Sequence, residues 1–245
     1  MENVPGIEGK RGQAILKEAL DSAARAGYVI HKKKLNAQDY GVPQRRRRVF
    51  VLGERHDGNF SQFEFPRPTT LKGKRMTVRD TVSQLPAPPE DGTDHPDILH
   101  HRRDRLSDLN KRRLRALKAG QGRDFLPSEL RVKAHRISSS IMGHRYVYGR
   151  MAWDDVARTI TARFDSFTRG RFGHPDQLRT ISLREGALLQ TFPMDFVFSG
   201  NKVEIARQIG NAVPPQLAEV IGATIIRSYE KSHSTQWMGL PAHEL

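Results

Sequence analysis

The sequence contains no cysteine in 245 residues. That absence excludes disulfides, thiolate zinc sites and any cysteine nucleophile carried by these residues. Long apolar stretches are missing as well: no uncharged apolar run approaches the roughly 18 residues a membrane span needs, and no basic-then-apolar leader opens the chain. The expectation is a soluble, cytoplasmic protein with no membrane partner. Internal repeats and low-complexity segments are also lacking. Acidic charge is the scarcer sign, with 27 Asp and Glu against 41 Lys and Arg.

The basic excess is unevenly placed. Residues 1–60 carry 12 basic and 7 acidic side chains, residues 61–180 carry 24 and 14, and residues 181–245 carry 5 and 6, giving +5, +10 and −1. A basic middle of this size is the footprint of a surface that meets phosphate backbones. The blander alternative is a well-solvated basic surface.

The first block reads as an α/β unit. Met1–Val4 forms a short stub closed by Pro5-Gly6, and Gly12–Ala26 then spaces Ile15, Leu16, Ala19, Leu20, Ala23 and Ala24 helically, leaving one apolar stripe for a sheet. Gly27 stops that helix. Tyr28–Leu35 reads as a strand, Asn36–Gln44 as a polar loop, and Arg48–Gly53 as a strand whose apolar run predicts burial on both faces. This is part of a doubly wound sheet. From about Asn59 a series of prolines breaks the periodicity into loops and short edge elements. Inside that stretch Ser107–Ala119 reads as a helix bearing Lys111, Arg112, Arg113, Arg115 and Lys118. Regular structure returns with helices at about Leu183–Thr191 and Pro214–Tyr229, the second opened by a proline pair. Residues after Ser232 read as a frayed tail.

Four motifs carry the chemistry. They are Glu2-Asn3-Val4-Pro5-Gly6; Leu35 to Gln44 (Leu-Asn-Ala-Gln-Asp-Tyr-Gly-Val-Pro-Gln) followed by Arg46 and Arg48; Arg184-Glu185 with Leu189-Gln190-Thr191-Phe192-Pro193; and Gly210-Asn211-Ala212-Val213-Pro214-Pro215. In this order, with a long gap before the third, they resemble the bacterial DNA cytosine-5 methyltransferases. The resemblance covers essentially the whole chain but only the second half of such an enzyme. It implies an α/β fold, the C-terminal part of a Rossmann-like methyltransferase sheet with an inserted, mostly irregular target-recognition domain. The implied segments are a catalytic part at 1–58, a basic recognition region at 59–180, a bracing helix and return to the catalytic domain at 181–231, and a tail at 232–245.

The resemblance also implies site residues. Glu2 is the catalytic carboxyl, expected in an enclosed apolar pocket that favours its protonated form, and Arg48 reaches the exocyclic oxygen of a flipped cytosine. Gln44 and Arg46 position the substrate, with Arg46 helping to hold the motif and nearby phosphate. Strand alternation puts Gln44, Arg46 and Arg48 on one face and Arg45 and Arg47 on the other. Asn211 and Ala212 bind the cofactor, S-adenosylmethionine, and a plain helix N-cap at Asn211 is the alternative. Gly186 and Leu188 stand where the family more often has alanine and arginine, which predicts altered packing. Phosphate and base contacts are expected from Lys111, Arg112, Arg113, Arg115, Arg145, Arg150, Arg169 and Arg171. Histidines 95, 100 and 101 lack the spacing of a metal site.

The donor-binding Gly loop and the Pro-Cys loop would lie upstream of Met1. The expectation is therefore a component of a split methyltransferase acting on duplex DNA, within a restriction-modification system and near the prokaryotic nucleoid, with its thiolate supplied by a polypeptide carrying the N-terminal half. The alternative is a non-catalytic DNA-binding relic or regulator.

Overall fold

The computed structural model describes residues 1–55, 63–132 and 147–237. A three-stranded sheet comes first, built from β1 (Glu2–Asn3), β2 (Tyr28–Asn36) and β4 (Arg47–Arg55) in the order β1-β4-β2. Both outer strands run antiparallel to β4, so they are parallel to each other and joined by α1 (Gln13–Arg25). These three elements form one β–α–β unit, and the antiparallel β4 in its middle departs from an all-parallel doubly wound sheet. The chain returns through residues 37–46 and slots β4 between the two parallel strands.

The register explains the layers. Residues 48, 50 and 52 of β4 share a face with Glu2, His31, Lys33 and Leu35. On that face Leu35 and Phe50 pack with Tyr40, Leu217 and the partly buried Val220 and Ile221, so α6 (Pro215–Trp237) covers it. α6 continues to Trp237, past the expected end at Tyr229. On the opposite face lies fully buried Val49, and Glu8, ahead of α1, pairs there with Lys32 and Lys34 at 3.2 and 2.9 Å. Burial on both faces is thus reached at Val49 and Phe50, while the rest of β4 is more open than its apolar run predicts. Leu16 is the buried residue of α1 and Ile15 faces solvent, a narrower stripe than the spacing implied.

The middle of the chain is irregular, as expected, with α2 (Val78–Val82), a β5–β6 hairpin (Asp94–His95 and Ile98–Arg102) and α3 (Asp108–Arg115). α3 starts on the Ser107 cap but ends four residues before Ala119. The segment is clamped to the sheet's end by β3 (Gln44–Arg45), which pairs parallel with β7 (Ala157–Arg158). The largest core joins Val78, Met151, Ile160 and Phe164 to α4 (Leu183–Leu189) and α5 (Lys202–Asn211), crossing the expected boundary at residue 180. α5 went unrecognised in the sequence, although Asn201 and Glu204 form a capping box, a readable start signal. Nearly all of α4 is buried, and a Cβ at Gly186 would overlap the Phe164 ring, which accounts for the glycine at this position.

Charges enter this core only with partners. Arg179 forks onto Glu185 with two 2.7 Å contacts, and Glu185 also accepts the Ser182 N–H at 2.6 Å in a capping box. His174 Nδ1 accepts the N–H groups of Asp176 and Gln177 at 3.2 and 3.0 Å, which leaves its proton on Nε2, 3.8 Å from Glu185. Burial draws His174 down to about 4. Burial pushes Glu185 up, but the Arg179 guanidinium outweighs it and holds the carboxyl below its ordinary value. Between pH 6.5 and 4 the unfolded chain protonates this histidine and the folded chain does not, so stability must fall as pH falls, by about 3 kcal/mol across the window. Glu185 adds to the loss as pH drops below the ordinary carboxylate range. Denaturant midpoints measured against pH should show this slope, and His174→Asn, which keeps an acceptor but cannot titrate, should flatten it. An unchanged slope would place the titration elsewhere.

Candidate active site

Glu2 lies opposite Phe50, two residues from Arg48 on the same face of the sheet. The guanidinium and the carboxyl meet there, with Arg48 Nε 2.8 Å from Glu2 Oε1. Arg48 also donates to the Arg47 carbonyl at 2.8 Å, and burial lowers its pKa, opposed by Glu2. The enclosed apolar environment expected for Glu2 is not what surrounds it: its side chain is 21% exposed and faces a cation. Beside the pair is a recess of about 330 Å³ walled by Phe50, Leu52, Phe65, Val213 and Ile221, with Glu2 on its lining.

The alternation along residues 44–48 is as expected, and two of the inward residues, Gln44 and Arg46, are braces. Arg46 is buried and its guanidinium donates to the carbonyls of Ile160 at 3.0 Å, Gly210 at 3.1 Å and Ala212 at 2.9 Å. Burial, with Arg48 adding to it, draws Arg46 down to about 10, so it stays charged at neutral pH. Its expected proximity to phosphate is corrected by this enclosure. Gln44 is fully buried, donates to Leu189 O and Gln190 Oε1 at 3.1 and 2.6 Å, and accepts the Ile160 N–H at 2.8 Å. It therefore acts by positioning other residues, its amide being engaged by protein partners at both ends. Arg45 turns outward to Asp155 at 2.5 Å, and Arg47 is exposed.

Asn211 is the last residue of α5, which corrects the N-cap alternative. Its side chain is exposed and makes no hydrogen bond among the described residues, whereas the Ala212 carbonyl is held by Arg46 and by Gln190 Nε2 at 3.4 Å. Gly210 is required by close approach, since a Cβ would overlap the Thr161–Ala162 backbone. Gln190 and Thr191 had no assigned role in the sequence, though both fall inside the third motif.

The expected DNA-contact residues divide in two. Lys111, Arg112, Arg115 and Arg169 are exposed, and Arg171 is half-buried against Gly149 and Gly122. Arg145 lies outside the described residues. Arg113 is corrected: it is buried, donating to Leu130 O at 2.8 Å and Asn110 Oδ1 at 2.9 Å, with its guanidinium 4.8 Å from the centre of the Tyr148 ring. Arg150 is likewise corrected, since it is buried and gathers the carbonyls of Leu114, Leu117, His174 and Gln177 at 2.6–3.0 Å. Six arginines are buried among the described residues, at 46, 113, 123, 150, 179 and 184, so part of the basic excess works inside the fold. Arg105, exposed and sharing a groove with Lys111 and Arg115, was missed, although the Arg-Arg-Asp-Arg run at 102–105 could have drawn notice to it. His100 accepts the Phe198 N–H and His101 bridges Ser182 and Pro86. Among the described residues no group of three or more side chains could hold a metal, and no helix is long and apolar enough to cross a membrane.

A mixed α/β fold with a Glu–Arg pair on its sheet, and a buried arginine two residues ahead that donates to an Asn-Ala turn, defines a class. Residues 1–227 match the C-5 cytosine-specific DNA methylase family, and the chain belongs to it. It is similar to the Type II methylase M.HgiDII of Herpetosiphon aurantiacus, with 37% identity over 96% of this chain and 66% of the relative. It is also similar to the Type II methyltransferase M.BbvI of Brevibacillus brevis, with 32% identity over 94% of this chain and 58% of the relative. The chain thus spans less than two thirds of the length of these relatives. In fold it is similar to a prophage-encoded protein of E. coli described as a DNA modification methyltransferase (TM-score 0.63, 23% identity, 94% of this chain and 68% of that one).

Proposed function

We propose that these residues form the base-holding and donor-closing part of a DNA (cytosine-5-)-methyltransferase, which moves a methyl group from S-adenosylmethionine to carbon 5 of a cytosine flipped out of duplex DNA. The observation that carries the reading is the Glu2–Arg48 pair at 2.8 Å, with Arg46, two residues before Arg48, donating to the carbonyls of Gly210 and Ala212, so that one short stretch of chain serves both the base-side pair and the donor-side turn. The methyl donor supplies a carbon activated by a sulfonium centre. The residues present fit one wall of its pocket, because the Asn211 amide is free among the described residues and the neighbouring recess is apolar. Glu2 presents a proton toward ring nitrogen 3 and Arg48 donates to the adjacent oxygen. Both stabilise charge that develops once a thiolate has added to carbon 6, before the carbon 5 proton and the thiolate leave. With no cysteine in 245 residues, that thiolate comes from polypeptide outside this sequence, in our reading a separate chain carrying the Gly loop and Pro-Cys loop of a split enzyme. The setting is a prokaryotic restriction-modification system acting at the nucleoid.

The test is to co-express the chain with the polypeptide encoded immediately upstream and to measure methyl transfer to duplex DNA. The chain alone should transfer nothing and the pair should be active. Transfer by the chain alone would overturn the assignment of the thiolate, and failure of the pair would leave the DNA-binding relic or regulator as the better reading.

Phosphate contacts in this proposal fall to Lys111, Arg112 and Arg115, with Arg169 and Arg171 toward the bases. Neutralising the first three together should reduce the slope of log affinity against log salt by about 0.9 per lost contact. Replacing buried Arg113 should cost stability and leave the slope unchanged. Salt titrations of duplex binding distinguish the two, and an unaltered slope in the triple variant would move the contact surface elsewhere.

A further inference from the structure

Thr191 occupies a backbone conformation that its residue type resists. It follows the Gln190 cap of α4 with φ 67°, the left-handed position where helices commonly end on Gly or Asn, and a β-branched residue there is a genuine outlier. Such conformations persist where the surroundings over-determine them and often mark functional positions.

The contacts show what the conformation achieves. The Thr191 hydroxyl donates to Gln190 O at 2.6 Å and accepts the backbone N–H of Gln216 at 3.1 Å. Gln216 is the second residue of α6, and its N–H has no carbonyl within the helix to receive it. A residue distant in sequence therefore acts as the cap of α6. Gln190, next door, donates to Ile209 O at 2.5 Å and reaches Ala212 O at 3.4 Å. Neighbouring residues thus anchor segment 209–216 at both ends, and Asn211–Val213 lies between the anchors. The Gln216 side chain also rests on Gly41, where φ is +82° and a Cβ would overlap the amide, so the loop leading into the Gln44–Arg48 strand is seated on the same point.

We propose that Thr191 is a positioning residue that holds the donor-closing segment in place through the N–H of Gln216, and that its strained backbone is retained for this purpose. The proposal rests on the reading that Asn211 and Ala212 close the donor pocket. Thr191→Gly removes both strain and hydroxyl, while Thr191→Ser keeps the hydroxyl. A merely structural threonine would be replaced by glycine with equal or higher stability and no other effect, because glycine accepts the left-handed region freely.

The experiment has two arms. In the full chain alone, amide hydrogen exchange at Gln216 should quicken about tenfold in Thr191→Gly, the worth of one lost hydrogen bond, and should stay near wild type in Thr191→Ser, with denaturant midpoints showing that neither variant is less stable. In the co-expressed pair, KM for S-adenosylmethionine should rise about tenfold in Thr191→Gly with kcat little changed, and Thr191→Ser should restore it. Wild-type exchange at Gln216 in the glycine variant overturns the anchor, and altered exchange with an unaltered KM overturns the positioning role. A wild-type pair that transfers no methyl group defeats the functional reading and the donor-side role together, while the exchange arm still decides whether the anchor exists.

Discussion

Glu2→Gln and Arg48→Ala should each lower single-turnover methyl transfer in the co-expressed pair by at least about 10²-fold, the low end for a positioned proton-transfer group. Duplex affinity should change little. The two groups face each other at 2.8 Å on one face of the sheet, and in the proposed mechanism a base entering between them replaces one charged contact with two directed ones. Those contacts strengthen as the ring becomes electron-rich, and interactions made chiefly in the transition state reduce turnover more than binding. Glutamine keeps the size and a donor but transfers no proton. Alanine at 48 removes the charge and leaves Glu2 without its partner. Single-turnover rates and duplex affinities measured side by side are the check, and near-wild-type rates would reduce the pair to a structural ion pair.

Arg46→Met should destabilise the fold by about 2–6 kcal/mol, because the buried carbonyls of Ile160 and Gly210 lose this donor and each unsatisfied group costs about 1–3 kcal/mol, while the Ala212 carbonyl keeps Gln190 Nε2. Methionine preserves much of the volume, which keeps the loss one of hydrogen bonding. A denaturant midpoint shifted down by that amount is the expected result. If Arg46 instead served phosphate, the variant would melt like wild type and bind duplex less well.

β2, β4, α1 and α6 were legible because their apolar residues repeat at the periods of strand and helix, whereas the two-residue strands are too short to carry a period, and the one-face alternation of Gln44, Arg46 and Arg48 follows from strand geometry alone. The resemblance supplied the pairing of Glu2 with Arg48, which sequence spacing does not encode, since the register of β1 against β4 is set by tertiary packing. The buried arginines were not legible. Arg113 and Arg150 look in sequence like their solvated neighbours, and only the presence of unsatisfied carbonyls nearby decides that they turn inward. α4 shows the same inward turn: Arg184 is buried against the carbonyls of Leu99, Pro193 and Phe196, and Glu185 against Arg179. The free choice between parallel and antiparallel neighbours for β4 was likewise beyond a reading of periodicity.

The bonds that gather the site close very long loops. Gln44 reaches Leu189 across 145 residues, and Arg46 reaches Gly210 and Ala212 across 164 and 166. The equilibrium cost of such lengths is modest, about 0.6 kcal/mol for each doubling, but contacts of high sequence separation form slowly. During synthesis the strand bearing Arg48 leaves the ribosome long before its partners near residue 212, so Arg46 waits as an unsatisfied cation until almost the whole matched region has emerged. The contacts that gather Gln44, Arg46 and the 210–212 segment are therefore expected late in folding, after the more local cores have had time to form.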